Sequence, residues 1–73
     1  ALKAKERLPS LSSRELEVLT ILATGKSTRE IARQLYLGEA TIKTHLASIY
    51  RKLEVSNRFS AVAIARDNSW LGE

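Results

Sequence analysis

The sequence predicts an all-α domain, a four-helix bundle, on three observations. Apolar residues recur at helical spacing with no β-type alternation to compete. Two S-x-x-E capping signatures, Ser12 to Glu15 and Ser27 to Glu30, each stand just ahead of an apolar run. Breaks at Gly25, at Gly38 and at "VSNR" then divide the chain into four segments, with helices expected at about 13–24, 28–36, 39–54 and 58–67.

Residues 1–10 are polar and basic, end beside Pro9 and read as the remnant of a linker, so the packed domain is expected over 11–73. In the first helix Ser12 supplies the cap, and Leu11 and Leu16 stand at the positions of a hydrophobic staple. Leu16, Val18, Leu19, Ile21, Leu22 and Ala23 follow, until Gly25 offers the left-handed conformation that closes a helix. The second helix starts at the Ser27 box, carries Ile31, Ala32 and Leu35, and is short, ending at Leu35 or Tyr36. Only "YLG" separates it from the third, and so short a connection makes the two cross steeply, with small Ala32 at the crossing. Asn57 or Ser56 caps the Ala-rich fourth helix, and Trp70 and Leu71 come after it.

A chain of 73 residues is one small domain, burying roughly 60% of the surface its unfolded form exposes, with little room for an enclosed active site. Hydrophobic residues make up 44% and charged residues 27%, a globular balance far from any membrane span. The absence of Cys removes disulfides and thiolate metal sites, and the lone His45 cannot assemble a zinc site without several carboxylates around it. No metal or cofactor is expected. Catalysis is not expected either, because no Asp or Glu at a neighbouring helical position orients His45. The net charge of +4 and the pI near 9.9 favour a polyanionic partner without requiring one. The opening "ALKAKERLPSLSS" lacks the apolar core of a signal peptide, which points to the cytoplasm, and the missing initiator Met is read as the mark of a fragment of a longer protein.

Projecting Thr41 to Leu53 at ~100° per residue puts Ile42, Leu46, Ile49 and Leu53 on one stripe, with Tyr50 beside it. On the other side stand Ala40, Thr41, Lys43, Thr44, Ala47, Ser48 and Arg51, mostly small, the two long ones both cationic. A helix facing only water would more often carry Glu, Lys and Gln there. Small residues let a helix axis approach a surface closely while Lys43 and Arg51 reach base edges or phosphates, so this face suits the major groove of DNA. The alternative is an exposed face that happens to be poor in charge.

The stretch "LSSRELEVLTILATGKSTREIARQLYLGEATIKTHLASIYRKLEVSNRFSAVAIA" resembles the LuxR-type helix-turn-helix family, the effector domain of NarL-like response regulators and quorum-sensing regulators. The resemblance runs from Leu8 to about Arg66 and rests on "SxRExEVLxxLAxG" over Ser12 to Gly25, "S-x-x-E-I-A" over Ser27 to Ala32, "T-I-K-T-H" over Thr41 to His45, "K-L" at Lys52-Leu53, and Arg58 opening the last helix. It implies a DNA-binding domain in which helices two and three form the helix-turn-helix and the fourth helps dimerisation. It also implies base contacts at Lys43 and Thr44, with phosphate contacts at Thr41, His45 and the residues opening helix two. Two departures stand out: Gly38 replaces the usual Ser that caps the recognition helix, and Ala47 takes a place where some members put a longer base-contacting side chain. Ala47 then joins the base-facing set as a short residue, and recognition leans further on DNA shape.

Thr28 and Arg29 open helix two, where free N–H groups and the helix dipole favour a phosphate, and Lys26 precedes them. Arg51 extends the phosphate set along the groove. Lys52 either grips the same strand as His45 or forms a salt bridge to a nearby Glu, and Arg58, a cation at a helix start, needs a carboxylate or phosphate to hold it. Val62, Ala65, Arg66 and Trp70 are candidates for a homodimer surface, which would set half-sites ~34 Å apart on double-stranded DNA. RNA polymerase is a further candidate partner. A promoter-binding domain like region four of a sigma factor, or a helical protein-interaction domain without DNA binding, stay open as alternatives.

Overall fold

The computed structural model describes residues 11–68. The linker assigned to residues 1–10 and the Trp70 end fall outside them. Four helices follow in order: α1 Ser13–Leu22, α2 Thr28–Leu35, α3 Glu39–Leu53 and α4 Arg58–Asp67. No strand occurs among the described residues, so the fold is all-α. Every helix starts where its cap predicts, and the first three stop one or two residues earlier than their apolar runs suggest.

The early stops have a backbone cause. After Leu22 the chain tightens into a turn in which the amides of Thr24 and Gly25 donate to the carbonyls of Ile21 and Leu22, each at 3.0 Å, and Gly25 turns at φ 91°. α2 and α3 end alike, in Schellman motifs built on non-glycine residues. Tyr36 (φ 59°) and Glu54 (φ 57°) take the left-handed conformation, while Leu37 N–H donates to Ala32 and Val55 N–H to Tyr50, both at 2.9 Å. In each case the next residue, Leu37 or Val55, packs back against the core.

Val18, Leu19, Leu22, Ile31, Ile42 and Ile49 fill the centre of the bundle with Ala61 and Ala65. α1 and α3 each pack against all three other helices, and α2 lies against both of them. Ala32 is buried, which leaves α2 room to approach. No helix among the described residues is long and apolar enough to cross a membrane.

Several side chains depart from the sequence expectation. Leu16 is exposed while its staple partner Leu11 packs on the core. Ala65, assigned to a dimer surface, is fully buried, so it fills the core and offers nothing to a second chain. Ser48, placed on the outward face of α3, turns inward instead, because a buried carboxylate on α1 accepts its proton.

Candidate nucleic-acid interface

α3 presents two faces. Ile42, Leu46, Ile49 and Leu53 are buried, whereas Ala40, Thr41, Lys43, Thr44, Ala47 and Arg51 are exposed. Lys43, Ala47 and Arg51 fall one turn apart along one ridge, which sets the two cations ~12 Å apart with a methyl group between them. Neither Lys43 nor Arg51 pairs with a carboxylate among the described residues, although Glu39 stands one turn before Lys43. His45 and Tyr50 are half-buried at the edges of the face. Gly38 caps α3 with no side-chain hydrogen bond, as its lack of a hydroxyl requires.

The start of α2 is built on the second capping box. Ser27 accepts from the Glu30 amide at 3.1 Å and the Glu30 carboxylate accepts from the Ser27 amide at 2.8 Å. These Ser27 hydrogen bonds hold the Glu30 carboxyl below its ordinary pKa. Arg29 is exposed and makes no ion pair with a described residue, and Thr28 and Lys26 are half-buried beside it. Arg58 holds this corner in place: its Nη1 donates to the Lys26 carbonyl at 3.0 Å. A backbone oxygen therefore occupies the role expected of a carboxylate or phosphate.

What fixes α3 against α1 is Glu15, a residue that sequence reasoning treated only as a cap. Its carboxylate is 5% exposed and fully partnered. Oε1 accepts from the Ser12 amide at 2.9 Å and from Lys52 Nζ at 2.8 Å, and Oε2 accepts from Ser48 Oγ at 2.6 Å. Burial pushes the carboxyl up, but the hydrogen bonds from Lys52, Ser48 and Ser12, with the Lys52 charge, more than reverse it and hold the group at about 2. Through these hydrogen bonds the buried carboxylate ties Ser48 and Lys52 of α3 to the start of α1. Of the two readings kept for Lys52, the geometry forms the salt bridge. A signal for this was available: Glu15, Leu19 and Leu22 follow i, i+4, i+7 spacing, so Glu15 projects onto the apolar stripe of α1, and Ser48 and Lys52 lie one turn apart.

On α4, Val62 is half-buried and packs against the core, while Arg66 and Phe59 are exposed. No group of three or more His, Cys, Asp or Glu among the described residues could hold a metal ion.

A bundle in which a short, capped helix crosses a longer one through a tight turn, with the longer helix displaying small and cationic residues outward, defines a helix-turn-helix domain. Residues 9–65 match the family described as bacterial regulatory proteins, luxR family, and the chain belongs to it. Among its relatives, the YhcZ transcriptional regulatory protein of Bacillus subtilis (strain 168) is 44% identical over 69 residues, which are 94% of this chain and 32% of YhcZ. The CsgBAC operon transcriptional regulatory protein of Escherichia coli (strain K12) is 48% identical over 58 residues, 80% of this chain and 27% of that protein. The crystal structure of ChrA, the response regulator of a heme-sensing two-component system, superposes with a TM-score of 0.80 at 48% identity, covering 84% of this chain and 30% of ChrA. The chain thus spans about a third of the length of these relatives. It is a DNA-binding helix-turn-helix domain of the transcription-regulator class, and the relatives are described as regulators of transcription.

Proposed function

We propose that this domain binds double-stranded DNA sequence-specifically, with α3 in the major groove. The observation that carries the reading is the exposed ridge Lys43, Ala47 and Arg51, whose two cations are left without carboxylate partners among the described residues. Lys43, Thr44 and Ala47 face the bases. Lys26, Thr28, Arg29, Thr41, His45 and Arg51 meet phosphates on either side, the first three from the corner where α2 starts. Lys52 and Arg58, expected at phosphates from sequence, take positioning roles in this scheme, since Glu15 and the Lys26 carbonyl already engage them.

Two copies then meet through α4, with Val62 and Arg66 at the seam, and read half-sites one helical turn apart. Trp70, assigned to the same seam, lies outside the described residues. The whole protein, by analogy with relatives such as ChrA, is a cytoplasmic response regulator that engages RNA polymerase from its bound site.

Selection of bound duplexes from a random pool by the 73-residue chain tests this reading. A short enriched motif, paired at one-turn spacing and bound less tightly as salt rises, is the expected result. A pool that stays random, or binding indifferent to salt, would favour the protein-interaction alternative.

A further inference from the structure

The outward face of α3 is short of hydrogen-bond donors at its centre. Of the three hydroxyl groups assigned to that face from sequence, two are committed within the protein. Thr44 Oγ1 donates to the Ala40 carbonyl, one turn back in the same helix, at 3.0 Å, and Ser48 Oγ donates to Glu15 Oε2 at 2.6 Å. A hydroxyl has one proton, so neither has one left for a base. Ala47, exposed between them, has only a methyl group. The remaining donors stand nearer the ends, Thr41 and Lys43 in the first turns and Arg51 in the last.

Thr44 and Ala47 are three residues apart and exposed, hence neighbours on the helix surface. Between them they offer the Thr44 γ-methyl, the Ala47 β-methyl and the lone pairs of Thr44 Oγ1. The major groove carries a single apolar group, the C5-methyl of thymine. We infer that the middle of α3 reads thymine through that methyl group, with Thr44 and Ala47 as the contacting residues. The inference rests on the DNA-binding reading above and adds the base class that the centre of the helix selects. Lys43, a donor with no acceptor, complements it one position away by favouring the O6 and N7 acceptors of guanine.

The test uses deoxyuridine, which pairs like thymine but lacks the methyl group. In the site selected from random duplexes, each thymine is replaced singly and binding of the 73-residue chain is measured. One or two positions should lose about fourfold in affinity, the worth of one buried methyl group. Thr44→Ser, which keeps the hydroxyl and removes the methyl, should erase that sensitivity at one position, and Ala47→Gly should blunt it at the other. Thr44→Val, which keeps a methyl and removes the hydroxyl, should retain it. Indifference of the unmodified protein to every deoxyuridine overturns the inference. So does a preference that survives in Thr44→Ser and vanishes in Thr44→Val, which would make the Oγ1 lone pairs the reading group. A pool with no enriched sequence would instead bring down the DNA-reading proposal itself, and this inference with it.

Discussion

The two capping boxes share one spelling and one local geometry, yet they do different work. In both, the serine hydroxyl accepts from the glutamate amide at 3.1 Å and the glutamate carboxylate accepts from the serine amide, at 2.9 Å for Glu15 and 2.8 Å for Glu30. Glu15 is buried and also takes Ser48 and Lys52 from α3. Glu30 is exposed, and Ser27 supplies both hydrogen bonds that define its box. The first box therefore ties α3 to the bundle, while the second leaves the start of α2 open, where the proposed phosphate contacts stand. A cap motif fixes a helix start, and the face on which its carboxylate lands decides what else that carboxylate does.

Removing what both boxes support should have the largest effect. Ile42 is fully buried in α3, and Ile42→Asp places an unpaired charge in the core, so the domain should be unfolded by circular dichroism at room temperature. Next comes the asymmetry itself. Glu15→Ala removes the acceptor shared by Ser12, Ser48 and Lys52 and should cost about 2–3 kcal/mol in urea unfolding; Glu30→Ala, measured the same way, should cost a small fraction of that.

Acid titration separates the boxes further. The Glu15 carboxyl is held at about 2, below its unfolded value of about 4.3. Its contribution is complete above the unfolded value and is lost as pH falls toward 2, a loss of about 2–3 kcal/mol. Glu15→Gln should flatten this acid limb, and Glu30→Gln should leave most of it. Smaller still, Ser27→Ala should lower stability by about 1 kcal/mol. Gly38→Ser, which adds a cap where a Cβ meets nothing within 4 Å, should raise stability by a few tenths of a kcal/mol.

The same contrast explains how much was legible in the sequence. The helix starts were readable because Ser12, Ser27 and Asn57 each satisfy free N–H groups within four residues, a local event. The buried stripe of α3 followed from its period. The helix ends were less legible, since Tyr36 and Glu54 take a left-handed conformation that neither residue type advertises. Ser48 projected outward and turned inward because its partner lies 33 residues away on another helix. Ala65 looked available to a second chain because an alanine fits a core or a surface equally well, and only the packing of α4 decides. The exposure of Lys43, Thr44, Ala47 and Arg51 was legible because it depends on the azimuth of α3, whereas the internal hydrogen bonds of Ser48 and Arg58 were not, because their partners lie far away in sequence.

Lys43→Ala tests the central claim most directly. Lys43 is exposed, so the variant should fold as the parent does, and its affinity can be measured on the selected site and on random duplex DNA in parallel. A residue facing base edges should cost about 1–3 kcal/mol on the selected site, with relaxed preference at the neighbouring base pair, and clearly less on random DNA. Equal loss on both would make Lys43 a phosphate contact and contradict the placement of α3 on the bases.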